Sequence, residues 1–109
     1  MVDLSFLEKF TKGDTKKINR YIQLYLDVAT ETFNRMQDNF NANDWEQLRI
    51  NAHSLKPQAE YLGFNNLKDV LNAIETAVIH KNYTTLQKLF ESSKQLHEVA
   101  KKELKNYGN

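Results

Sequence analysis

Three residues set close together in this sequence have the chemistry of an anion-handling site. His53 is preceded by Arg49 and followed by Lys56, so if the segment is helical both cations lie one turn from the imidazole. Histidine attacks phosphorus through a ring nitrogen that carries no proton, and an exposed imidazole is largely in that form at neutral pH. Cations beside it attract a transferring phosphoryl group and then the charged product. Phosphoryl transfer asks a protein mainly for positioning and charge stabilisation, so a nucleophile with a few cations can make a complete half-site. Glu46 and Glu60 lie two turns from His53 in either direction, and Pro57 directly follows Lys56.

The elements that must position these groups are helical. A short first helix is expected from Asp3 as N-cap to about Thr11, with Leu4, Leu7 and Phe10 on one side. Gly13 can end it and Asp14 can cap the next, which carries Ile18, Ile22, Tyr25, Ala29, Phe33, Met36 and Phe40 as one stripe. Asn43 or Asp44 caps a third helix with Trp45, Leu48, Ala52, Leu55, Ala59 and Leu62, a narrow bundle-type seam that Gly63 ends. A fourth starts near Asn65. Thr84 is read as the N-cap of a last helix that ends in Lys101, Lys102 and Lys105, where cations suit the helix dipole. With every loop short, the expected fold is all-α: an antiparallel up-down four-helix bundle with a short extra N-terminal helix, one domain over residues 1–109. On a helical wheel His53 points roughly 130° from the seam centre, so it should face solvent.

Composition removes several other functions. The chain has 15 basic and 14 acidic residues, a balance that gives no electrostatic grip on nucleic acid. Without cysteine there is no disulfide or thiolate chemistry. Three glycines form no phosphate-cradling loop of the nucleotide-binding kinds. No histidine shares a face with acidic residues at metal-ligand spacing, so no metal site is expected. His80 reads as a turn residue and His97 as a residue flanking the last helix. No apolar run is long enough to cross a bilayer. The N-terminus does not read as a signal peptide, so a cytoplasmic protein is expected, and the start at Met1 and polar end at Asn109 suggest a free-standing one.

The stretch A-H-S-L-K-P-Q-A-E-Y-L-G, residues 52–63, resembles the signature of histidine-containing phosphotransfer (HPt) domains, A-H-x-L-K-G-x-(S/A)-x-x-L-G. Ala52, His53, Leu55, Lys56, Leu62 and Gly63 match in place. Asp44-Trp45 before the motif and the Leu-x-x-Val-Leu-x-x-Ile-Glu helix after it extend the similarity over residues 14–107. The resemblance implies that His53 is phosphorylated on Nε2, that Lys56 neutralises the phosphoryl oxygens, and that Gly63 allows a tight turn and close packing. It implies a phosphorelay carrier, not an enzyme, with no ATP site and no cofactor of its own. Its partners would be response-regulator receiver domains, which bring the magnesium, with a hybrid histidine kinase as a further partner, and the carrier itself would be a monomer. The rival readings are the phosphoacceptor and dimerisation domain of a sensor histidine kinase, which would place an acidic residue where Ser54 stands, and a non-catalytic helical adaptor.

Two positions depart from the family pattern. Pro57 stands where the family has glycine; it cannot donate to the His53 carbonyl, and a local kink is expected beside the histidine. Gln58 stands where a small residue is usual, and its amide is a candidate phosphoryl donor although it lies off the His53 side. Arg49, Pro57, Gln58 and Glu60 are together expected on the phosphoryl or partner surface. Tyr21, Asn51 and Tyr61 are candidates for its rim, and Phe6, Leu7 and Phe10 for an apolar docking patch.

Overall fold

The computed structural model describes residues 3–107, and within them it is helical with no strand. Five α-helices follow one another: α1 (Ser5–Thr11), α2 (Thr15–Asn41), α3 (Trp45–Tyr61), α4 (Asn65–Ile79) and α5 (Leu86–Asn106), with a single 3₁₀ turn at Tyr83–Thr85 before the last. The longest, α2, should span about 40 Å at 1.5 Å per residue, close to the 43 Å long axis of the molecule. Among the four long helices, α2 packs on α3, α3 on α4, α4 on α5 and α5 on α2. Their apolar stripes meet inside this ring. Leu48, Ala52, Leu55 and Ala59 of α3 are almost fully buried, as are Leu71 and Ile74 of α4 and Phe90 of α5. Ala52 and Ala59, small and wholly enclosed, allow the neighbouring helices to come close to α3.

Local chemistry sets the helix ends. Asp14 accepts from the Lys16 and Lys17 amides at 3.0 and 3.2 Å, and Asp44 accepts from the Gln47 amide at 3.3 Å. The Asp3 carboxylate takes the Ser5 amide at 2.9 Å, so it serves the start of α1 from one residue further out than an N-cap. Helices α1 to α4 close alike, with a left-handed residue and a backbone bond reaching back five residues. Lysine or asparagine fills that left-handed position at Lys12, Asn43 and Lys81, with φ of 55 to 57°. At the end of α3 it is Gly63, φ 75°, and the reason is crowding. A Cβ there would lie 2.3 Å from the Asp3 carbonyl oxygen, because the Asp3 amide bonds the Leu62 carbonyl at 3.2 Å. The expected role of Gly63 in close packing thus has a named contact, the N-terminal segment laid across the end of α3.

Besides Asp3, expected at the N-cap position that Leu4 holds, two sequence expectations need correction. Thr84 does not cap the last helix: it lies inside the 3₁₀ turn, its hydroxyl donates to Asn82 Oδ1 at 2.9 Å, and α5 begins at Leu86. His97 is not a flanking residue but part of the interior, 4% exposed. Its ring stacks on Phe33 with centroids 4.6 Å apart, and its Nδ1 is 3.3 Å from the Tyr25 hydroxyl. Leu96 beside it is only partly buried, so the buried seam of α5 runs through Phe90, Ser93, His97, Ala100 and Leu104. Among the described residues His97 Nε2 has no hydrogen-bond partner.

Burial, helped by the nearby Lys101 charge and opposed by Glu98, pushes the His97 imidazole down from 6.5 to about 4. The folded protein therefore holds this ring neutral, while the unfolded chain takes up a proton below its ordinary value. Stability contributed by the neutral ring is complete above pH 6.5 and is lost as pH falls towards 4. Urea unfolding from pH 7 to 4 should show a loss of about 3 kcal/mol from this one group. His97→Phe should remove that component of the pH dependence.

Candidate functional site

The site is built on the edge where α3 meets α4. Residues 49, 53 and 56 follow the three- and four-residue repeat of a helix, so Arg49, His53 and Lys56 share one side of α3. On α4 the interior is taken by Leu67, Leu71, Ile74 and Val78, and Glu75, next to Ile74, lies at the border of that stripe facing α3. Asn72 is one turn before it on the same border.

Glu75 joins these groups. Its side chain is 11% exposed, and its Oε2 is 2.7 Å from His53 Nδ1. Its Oε1 accepts from Lys56 Nζ at 2.6 Å, and Arg49 Nη1 lies 3.8 Å from Oε2. Lys56 Nζ also donates to Asn72 Oδ1 at 3.1 Å. Arg49 is shared with the exposed Glu46 carboxylate, to which its Nε donates at 3.2 Å. Burial by itself would push the Glu75 carboxyl up, but the Lys56 bond and charge, with His53, hold it below the usual carboxylate range. Glu75 is therefore ionised at neutral pH.

That ionisation decides the chemistry of the ring. A carboxylate is acceptor-only, so the short contact to Nδ1 requires the proton on Nδ1. In the neutral ring Nε2 then carries the lone pair, and no described residue bonds it. The His53 side chain is 63% exposed, so the imidazole stands in solvent as the wheel predicted. The arrangement is a fixed tautomer with its nucleophilic nitrogen free and a lysine one turn away.

The other expected residues divide. Glu60 pairs with Lys68 of α4 at 3.2 Å, on the α3–α4 side but away from the histidine. Pro57 is exposed and does not interrupt α3, which continues to Tyr61. Gln58 lies on the opposite flank, in a groove between α1, α2 and α3 lined by Leu7, Tyr21, Leu24 and Tyr61. Asn51 is tied to Asn39 of α2 at 2.7 Å. Tyr21 and Tyr61 belong to an exposed aromatic run in which Tyr61 stacks on Phe6 at 5.3 Å, Phe6 on Phe10 at 6.1 Å, and Phe10 meets Tyr21 edge-on at 5.8 Å. Leu7 is buried beneath it.

Sequence reasoning missed Glu75 and Asn72. One signal was present. Glu75 borders an apolar stripe yet has no cation three or four residues away on its own helix, where Leu71, Asn72, Val78 and Ile79 stand. A carboxylate placed there needs its partners from another helix.

A family model for the Hpt domain matches residues 20–106. The chain belongs to the Hpt domain family. It is accordingly a histidine-phosphotransfer intermediate of phosphorelay signalling, a family of carriers that pass phosphoryl groups to receiver domains of response regulators. Its fold is similar to the crystal structure of histidine-containing phosphotransfer protein B (HptB) from Pseudomonas aeruginosa PAO1, with a TM-score of 0.87 at 16% identity, covering 95% of this chain and 90% of that one. By sequence, no curated protein matches the chain. No helix among the described residues is long and apolar enough to cross a membrane.

The tautomer assignment is open to direct test. A hydrogen bond to a charged acceptor contributes about 1.5–3 kcal/mol, so the Nδ1–H form should outweigh the other by roughly tenfold or more in the neutral ring. Long-range proton–nitrogen NMR on His53 should show this in the wild type. Glu75→Leu should return the ring to a mixture of tautomers, while Glu75→Gln, which keeps an acceptor, should preserve most of the bias.

Proposed function

We propose that His53 is the phosphoacceptor and that the chain carries the group between receiver domains. The Nε2 lone pair attacks the phosphorus of a receiver's aspartyl phosphate. The P–N bond forms as the P–O bond breaks, and the aspartate leaves as a carboxylate. The positive charge that the ring acquires is shared with Nδ1–H, which Glu75 already faces at 2.7 Å. Lys56 offsets charge on the phosphoryl oxygens. Transfer onward is the same step reversed against a second receiver. The magnesium belongs to the receiver, and this chain binds no cofactor or ATP.

The observation that carries this reading is the combination of an exposed imidazole, a carboxylate on Nδ1 and a lysine sharing that carboxylate. The wider reading is a single, monomeric, cytoplasmic domain over residues 1–109, arranged as an antiparallel up-down four-helix bundle with α1 as its extra helix. A hybrid histidine kinase would feed the relay through its receiver. The receiver would rest on the exposed ridge of α3 and on the aromatic run. That run begins at Tyr61, two turns or about 12 Å along α3 from His53, and its ring of Phe10 is 62% exposed.

Incubation with a phosphorylated receiver should place acid-labile, alkali-stable label on the chain, incubation with ATP alone should not, and His53→Gln should abolish labelling. Label arriving from ATP without a receiver would overturn the carrier reading in favour of a kinase phosphoacceptor domain. In the same assay the Phe10→Asp, Tyr61→Asp pair should weaken receiver binding by about tenfold or more, since it places two charges in an apolar contact. Because both side chains are exposed, its thermal midpoint should stay near that of the wild type.

A further inference from the structure

The charges around His53 are balanced before any phosphoryl group arrives. Lys56 is paired with Glu75 at 2.6 Å, and Arg49 is paired with Glu46. A phosphoryl group brought to Nε2 adds negative charge beside cations that are already paired, so it competes with their present partners for them. The geometry singles out which cation it can draw away.

Lys56 Nζ has three N–H donors. Two are engaged on α4, by Glu75 Oε1 at 2.6 Å and Asn72 Oδ1 at 3.1 Å. Glu75, in contrast, has more partners than it requires: Lys56 on one oxygen, and His53 Nδ1 with Arg49 at 3.8 Å on the other. If Lys56 leaves, Glu75 keeps the ring N–H, and Arg49 is near enough to close on it. The enclosed carboxylate is then not stranded. Asn72 has no such substitute task. It is exposed and neutral, and its side-chain oxygen accepts from Lys56.

We propose that Lys56 is a transferable cation and that Asn72 is the positioning residue that keeps it in place during the exchange. At rest the ammonium is held by Glu75 and Asn72. When the phosphoryl group is on Nε2, the ammonium gives up the Glu75 oxygen for a phosphoryl oxygen, because a dianion attracts it more strongly than a monoanion at like distance. Asn72 retains it at the α4 edge, and Arg49 takes its place beside Glu75. The side-chain amide suits this work because it accepts from Lys56 without adding a charge that competes with the phosphoryl group. The inference rests on His53 being the phosphoacceptor.

The test follows label transfer from a phosphorylated receiver to the wild type, Asn72→Ala and Asn72→Asp, with receiver affinity and thermal midpoint measured on the same proteins. Asn72→Ala should slow the transfer step about tenfold or more with affinity unchanged, as expected for loss of one hydrogen bond to a charged group. Asn72→Asp preserves an acceptor and strengthens the grip on Lys56. A merely structural role for Asn72 would be rescued by it, whereas the exchange requires transfer at least as slow as in Asn72→Ala. Label on the wild type with Asn72→Ala transferring at the same rate, or with Asn72→Asp as fast as the wild type, overturns the exchange and leaves the phosphorelay reading standing. Absence of label on the wild type from every receiver tried overturns both.

Discussion

The Glu75 carboxylate, clasped between His53 of its neighbouring helix and Lys56 one turn further on, is the contact through which the site exists. A nearly enclosed carboxylate is costly to keep unless cations and donors reach it. Here two helices supply them: α4 brings the acid, and α3 brings the imidazole, the ammonium and the guanidinium. The pairing therefore also reports the register of α3 against α4. A slip of one residue on either helix would turn these side chains away from each other, since successive positions on a helix differ by about 100°.

The same contact links stability to chemistry. An imidazole in solvent has two tautomers and free rotation; a carboxylate on Nδ1 removes both freedoms and leaves Nε2 as the basic atom. The protein achieves this with an exposed histidine, so a large partner can approach it. The rest of the framework is arranged to hold α3 firmly. Ala52 and Ala59 bring neighbouring helices close, and the Asp3–Leu62 bond secures its far end across Gly63. Pro57 deprives α3 of one internal hydrogen bond, yet the buried Leu55 and Ala59 flank it and the helix continues. Tertiary packing on both sides offsets a local penalty that would be of order 3 kcal/mol in an isolated helix.

Two histidines of this chain show how environment, not residue type, assigns a role. His53 lies outside with its ring committed to a carboxylate. His97 lies inside, stacked on Phe33 and touching the Tyr25 hydroxyl, and burial holds it neutral. One is arranged to react, the other to fill space between α2 and α5.

Much of this was legible from residue order. Spacing of apolar residues gave the helices, Asp14 and Asp44 gave two of their starts, and the A-H-S-L-K stretch with its flanking Arg49 marked the exposed histidine and its cations. Those features are local, written within a turn or two of one helix. His97 was misplaced because a polar ring next to the more apolar Leu96 reads as a flank even though its spacing to Ser93 and Ala100 is that of the buried seam, and Thr84 because the chain took a 3₁₀ turn before α5. Glu75 and Asn72 were missed for a different reason. They are 22 and 19 residues from His53 along the chain, and only the packing of α4 on α3 brings them to the ring and to Lys56. Sequence alone determined that a histidine would stand on a helix face among cations; the tertiary structure decided which of its nitrogens is free, because that depends on an acceptor supplied by another helix.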